Sequence, residues 1–375
     1  MIETPPLWLV LVAFVCMLGP LVFFHELGHY LVARWFKVPA EIFSIGFGRE
    51  IVGWSDKQGT RWKVGWLPLG GYVKFVGDMN AASVPGEESD IPPELRDRAF
   101  QFRPVWQRFL IVLAGPMANF LLAILIFAAF FALIGTPRTN VIGAVQPNSA
   151  AAAAGIQSGD HILSVAGRET PTFDDIFNVV ATRPNETVEV TIKRDGSIRE
   201  MRVKLGSDYL DDVSGQKHKR GLLGVYPGTG IGDPVPVYRA VPFAAEYTWG
   251  MTRAIADGLV QLIRGAISPK QLGGPIKIAQ VAGQGIELGW LPFVQLMALF
   301  SINLGFINLL PVPMLDGGHL LFYTVEAVRR RPLSAKALDW AFRGGLAFIL
   351  ALLVFTTFND LGGLGLWDSL QRLIG

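Results

Sequence analysis

Phe23-Phe24-His25-Glu26-Leu27-Gly28-His29-Tyr30 decides how the rest of the chain is read. His25 and His29 are four residues apart, so on a helix they project from one face, one turn above the other. Two imidazoles at that spacing can share a zinc ion, with the intervening Glu26 as general base on a zinc-bound water. The pattern is short and arises by chance; its setting gives it weight. It lies in an apolar run that starts near Pro6 and carries no charge before His25. Ionisable side chains at membrane depth are costly and point to function. A helix end with two interfacial histidines is the plainer reading, but three ionisable residues in five positions are hard to excuse as packing.

Composition narrows the class. The chain of 375 residues has room for two or three domains, and with 51% hydrophobic and 17% charged residues it does not read as wholly soluble. A net charge of +2 and the lack of a basic run interleaved with aromatics argue against nucleic acid. Cys16 is the single cysteine, so one chain has neither a disulfide framework nor a Cys-based zinc site. Among apolar neighbours it is expected to be a small buried hydrophobe. Met1 to Pro6 has no Lys or Arg, and no small-residue cleavage pattern follows. The start therefore reads as a retained transmembrane helix rather than a signal peptide.

Taken in order, residues 1–36 form a first transmembrane helix and 37–104 a cytoplasmic-side, β-rich region. In that region 42–49 and 61–75 alternate with period two and read as strands and hairpins, while acidic 81–98 reads as a mobile loop. Residues 105–136 form a second span, in which Gly115-Pro116 should kink or loosen the helix. Asn119 in that span needs a partner; packing between helices is the simpler reading and a part in the site the other. Residues 139–228 have the composition of a soluble α+β domain, and 229–289 form an amphipathic linker region. A third span with a following short helix covers 290–331, and a fourth covers 343–366.

The third span ends in Asn308-Leu309-Leu310-Pro311-Val312-Pro313-Met314-Leu315-Asp316-Gly317-Gly318-His319. Irregular backbone at membrane depth is tolerated only against protein or a watery cavity, which makes Asp316 a second anomaly. Lys and Arg cluster in 37–108 and 329–343. The positive-inside rule then puts both termini and the α+β domain outside the cytoplasm. It also brings the histidine pair and Asp316 to the same depth. Catalytic zinc commonly takes three protein ligands and keeps one position open, and His25, His29 and Asp316 supply the three. Glu26 is the general base, and peptide hydrolysis is the reaction class that uses all four. His319 remains an alternative ligand, and Asn308 can donate a hydrogen bond to substrate or oxyanion or serve as packing.

Together these motifs resemble the site-2 protease family of intramembrane zinc metalloproteases, the bacterial regulator-of-sigma-E protease type in particular. The likeness rests on H-E-L-G-H in the first span, A-G-P-x-x-N in the second and N-x-x-P-x-P-x-L-D-G-G in the third. The block A-A-A-A-G-I-Q-S-G-D-H-I-L-S-V-A-G from Ala151 resembles the bacterial PDZ pattern, with sequence for one such domain where many relatives carry two. The resemblance implies a polytopic α-helical membrane protein of about four transmembrane helices, with a membrane-associated β-hairpin region and an inserted α+β PDZ-like domain. It implies zinc on His25, His29 and Asp316, Glu26 as base and Asn308 in contact with substrate. It also implies that strands between 42 and 75 meet an unwound substrate helix; strand addition at the edge Gly70-Gly71-Tyr72-Val73-Lys74 would hold that segment extended.

The expected function is cleavage of single-span membrane proteins in the bacterial inner membrane, as the second step of regulated intramembrane proteolysis, for example of an anti-sigma factor. The expected partners are that substrate, the bilayer, and a peptide or C-terminus at the PDZ-like domain. The rival is a membrane scaffold or chaperone with a non-catalytic metal site; an intact Glu26 argues against it.

Overall fold

The apolar runs form helices of bilayer-crossing length. The computed structural model describes residues 5–77, 93–138, 140–170, 173–211, 217–228, 230–231, 234–265, 269 and 272–363. Helix α1 spans Leu7–Trp35, 29 residues, or about 44 Å against a hydrocarbon core of about 30 Å. Strands β1 (Ala40–Ser55) and β2 (Arg61–Phe75) follow, then α2 (Val105–Leu133). Next come β3 (Pro137–Arg138), β4 (Ile142–Val145), α3 (Ala150–Ala153), β5 (His161–Val165), β6 (Arg168–Glu169) and α4 (Phe173–Ala181). Strands β7 (Thr187–Arg194), β8 (Ser197–Lys204), β9 (Gly206–Asp211), β10 (Lys217–Leu222), β11 (Val225–Pro227) and β12 (Gly230–Ile231) complete the insert. Helices α5 (Val237–Ile263), α6 (Pro275–Glu287), α7 (Trp290–Leu309), α8 (Asp316–Arg329) and α9 (Ala335–Gly363) close the chain.

Two compact units emerge, Met1–Phe127 with Val241–Gly375 and, between them, Ala128–Ala240. Among the described residues α1, α2, α7 and most of α9 are long and apolar enough to cross a membrane. Their outward faces stay apolar, as Leu11, Val12 and Val15 on α1 and Val354 and Phe358 on α9 show. A helix that is hydrophobic all round is what lipid, rather than water, selects.

One expectation needs correction here. Cys16 is exposed on α1, not buried. A helix apolar on every side gives no periodicity to say which face turns inward, so the sequence could not place it. Helix α2 continues past Pro116, whose missing N–H leaves one bond out of its ladder. The acidic loop expected at 81–98 lies largely outside the described residues, but its end, Pro93–Arg98, is a short 3-10 helix.

The first pair of strands folds back on itself. Ile42 to Ile45 of β1 lie against Lys74 to Gly71 of β2 on one side and Arg61 to Val64 on the other. The far half of β1, Glu50 to Ser55, pairs with Gly65 to Arg61. Gly71 to Phe75 is thus an edge: among the described residues, no strand covers its outer side. Phe43 anchors this sheet to α1, stacking on Trp62 at 4.2 Å between ring centroids and meeting the Tyr30 ring edge-on at 5.7 Å. Asp56 secures the turn, accepting from the Tyr30 hydroxyl at 3.1 Å, Trp62 Nε1 at 3.1 Å and the Thr60 amide at 3.0 Å.

The second unit builds a core of its own. Its four-stranded antiparallel sheet has the order β6-β5-β7-β8. Val188, Val190 and Ile192 alternate inward along β7, and with Ile162, Val165 and Val203 they pack under Ile176 and Val180 of α4. The buried Asp160 takes hydrogen bonds from Arg194 Nε and Nη2, each at 2.6 Å, and from the Gln157 amide at 2.8 Å. Burial works to raise its carboxyl; those hydrogen bonds and the guanidinium charge overcome it and hold the group below the usual carboxylate range.

Candidate metal centre

Helix α1 carries two packed clusters with a polar site between them. Towards its N-terminus Ala13, Met17 and Leu21 pack with Ala282 of α6 and Phe293 of α7. Towards its C-terminus Tyr30 and Ala33 pack with Phe43, Val73, Phe75, Ile111 and Leu320. His25 and His29 lie between, each 8% exposed. The opposite wall is the start of α8. Pro311 and Pro313 end α7 in irregular chain, Met314 takes φ +81°, and α8 begins at Asp316. A left-handed methionine costs about 1–3 kcal/mol and persists only where its surroundings impose it.

The donor atoms converge. His25 Nε2 lies 3.1 Å from Asp316 Oδ2, His29 Nε2 lies 3.5 Å from the same oxygen, and the two Nε2 atoms are 3.3 Å apart. A tetrahedral zinc with bonds of about 2.0–2.1 Å has ligand atoms about 3.3–3.4 Å apart, so this triangle fits one face of such a site. Proton placement supports the fit. His29 Nδ1 is 2.9 Å from the Ile111 carbonyl, which can only accept, so Nδ1 carries the hydrogen and Nε2 offers a lone pair. That lone pair faces a carboxylate oxygen and a second imidazole nitrogen. A cation at the centre would reconcile the His29 lone pair with the carboxylate oxygen, and His25 Nε2 joins them once its ring hydrogen sits on Nδ1.

Nine of the residues singled out from the sequence line one cavity of about 390 Å³: His25, Glu26 and His29 from α1; Gly70, Gly71 and Tyr72 from β2; Asn308 from α7; Asp316 and His319 from α8. Of these, His25, His29 and Asp316 form the metal-sized group among the described residues, and His319 is not part of it. The His319 ring lies among aromatics, 5.2 Å from Phe342 and 6.3 Å from Tyr323 between centroids. Gly70, Gly71 and Tyr72 fall at the open edge of the first sheet, beside the site.

Close helix contact makes the convergence possible. A Cβ on Gly28 would collide with the Ala114 carbonyl and the Ala118 methyl, and one on Gly115 would collide with the His29 ring. The glycines of the first two motifs therefore let α1 and α2 approach until His29 reaches Ile111. Sequence reasoning left one neighbour between two readings. Asn119, read more simply as packing and otherwise as part of the site, is fully buried with its amide nitrogen 3.0 Å from His25 Nδ1. Its position four residues after Gly115, one helical turn further along the face that meets His29, was the available signal.

The family model described as peptidase family M50 matches residues 13–352. A Rhizobium meliloti protein whose name casts it as a zinc metalloprotease is 43% identical over 358 residues, covering 94% of this chain and 96% of its own. Metalloprotease MmpA of Caulobacter vibrioides is 40% identical over 383 residues, covering 94% of this chain and 95% of its own. Among solved structures, the PDZ domain of an SdrC-like protein from Listeria monocytogenes aligns with 24% of this chain and 90% of its own at 17% identity and a TM-score of 0.20.

Proposed function

The chain belongs to peptidase family M50, and we propose that it is a zinc endopeptidase working inside the membrane, cutting the spanning segment of single-span proteins. One observation carries the reading: a zinc-sized donor triangle and a carboxylate base share a cavity with an open sheet edge, between helices fit to cross a bilayer. Peptide hydrolysis has a use for each part.

His25, His29 and Asp316 would hold the metal. When bound there, zinc would supply polarisation of the scissile carbonyl and a lowered pKa for a water. Glu26, one residue from His25 and lining the same cavity, is the base that would take a proton from the attacking water and pass it to the departing amine. Asn308 donates to the substrate backbone from the end of α7. A helical substrate hides its carbonyls in its own hydrogen bonds and must unwind before it can be attacked. The outer side of Gly71 to Phe75 offers ladder partners to the unwound segment and lays it beside Glu26.

Four spans, an even number, are consistent with both termini on one side, and charge clusters at 37–108 and 329–343 favour the cytoplasm for the intervening segments. We assign the termini and the PDZ-like insert to the extracytoplasmic side of the bacterial inner membrane. There the insert takes a peptide or C-terminus, and cleavage is the second step of regulated intramembrane proteolysis, of which an anti-sigma factor is one fitting substrate.

The test is to incubate the purified protein in detergent with a model single-span substrate and map the product ends by mass spectrometry. A cut inside the apolar segment supports the reading. Binding without cleavage, across several such substrates with shortened outer parts, would favour the scaffold; a cut only in soluble flanks would place the reaction outside the membrane.

A further inference from the structure

We infer that Asn119 is a positioning residue that fixes the tautomer and ring orientation of His25 and thereby sets how tightly the centre holds zinc. The inference rests on the assignment of His25 as a zinc ligand. The two histidines are held in different ways. His29 Nδ1 faces a backbone carbonyl, that of Ile111. His25 Nδ1 faces the Asn119 side-chain amide at 3.0 Å, and that amide is fully buried.

A neutral imidazole that gives Nε2 to a metal must carry its hydrogen on Nδ1, and that hydrogen needs an acceptor. An amide nitrogen cannot accept; an amide oxygen can. A half-turn about the Cβ–Cγ bond exchanges the two ends with almost no change of shape. Asn119 Oδ1 meets no hydrogen-bond partner, so no bond made by that oxygen opposes the half-turn. With zinc bound, Oδ1 faces Nδ1 and accepts its hydrogen. The backbone under the amide is fixed independently: Ser301 Oγ on α7 donates to the Asn119 carbonyl at 2.8 Å. Gly305 lies against the same residue, where a Cβ would stand 3.4 Å from Asn119 Cβ. A side chain whose role was packing alone would have no need of an acceptor.

The experiment measures zinc affinity of the purified full-length protein by chelator competition, with thermal unfolding of each variant as a check on folding. Asn119→Leu keeps approximate size and removes the acceptor; it is expected to weaken zinc about 10–100-fold. Asn119→Asp supplies an oxygen in either orientation and should bind at least as tightly as wild type. Ser301→Ala loosens the same helix contact but leaves the acceptor, and its zinc affinity should stay within about twofold of wild type, the spread of such measurements. Wild-type affinity in Asn119→Leu would overturn the inference, as would an equal loss in Asn119→Asp. If Asn119→Leu does not fold, Asn119→Asp against Ser301→Ala still decides: a larger zinc loss in the aspartate variant overturns it. Failure of the underlying assignment shows separately, as wild-type protein that binds no stoichiometric zinc, and it would bring the inference down with it.

Discussion

Gly71 packs against Glu26: a Cβ built on the glycine would lie 3.2 Å from Glu26 Cγ and 2.6 Å from Val22 Cγ1. The sheet edge and the proposed base are thus in direct register, with no room for a side chain between them. Gly71→Val should lower cleavage at least about tenfold, since displacements of about 1 Å near reacting groups cost that much or more. Zinc content should stay at wild-type level. Loss of zinc together with activity would show that the substitution disrupts the centre rather than the strand.

Gly115 makes room for the His29 ring in the same way. Gly115→Ala forces that ring off the Ile111 carbonyl and out of the donor triangle. Zinc affinity should fall about 10–100-fold, the usual cost of losing a histidine's supporting contact. Wild-type zinc affinity in this variant would mean that α1 and α2 separate without strain.

Asp316 and His319 are both near the site, and metal content distinguishes them. Asp316→Asn should lose bound zinc, because the carboxylate oxygen closes the triangle with both Nε2 atoms. His319→Ala should retain it, because its ring packs among Tyr323 and Phe342. The reverse result would exchange the two assignments.

In the insert, pH is the probe. Asp160 has its folded-state ionisation held low, so it stabilises the domain above its unfolded value of about 3.9, and that stability is lost as pH falls through the lower folded value. Limited proteolysis of the full-length protein should find the insert protected at neutral pH and increasingly cut below about pH 4. Asp160→Asn should be cut more readily than wild type at pH 7, and the difference should shrink in acid. A constant difference down to pH 2 would show that the carboxylate charge is not what matters.

Much of this fold is legible in the sequence because bilayer and sheet both impose simple patterns. The run from Leu7 to Phe24 needs only length and lack of charge to be read, and β7 needs only the alternation of Val188, Val190 and Ile192. The residues of the candidate centre were legible for a different reason: His25, Glu26, His29 and Asp316 are ionisable groups in or beside apolar runs. What escaped was direction. Uniform hydrophobicity hid that Cys16 faces outward, and a lone Asn119 does not announce whether it meets a helix or a histidine. The doubling back of β1 and β2 was hidden too, because their shared alternation fits a plain hairpin equally well.

The most direct test of the central claim measures zinc stoichiometry and cleavage on the same preparations of wild type and Glu26→Gln. One zinc per chain is expected in both, with cleavage of a single-span substrate reduced at least about 100-fold in the variant. A variant that holds zinc and cuts at the wild-type rate would contradict that claim.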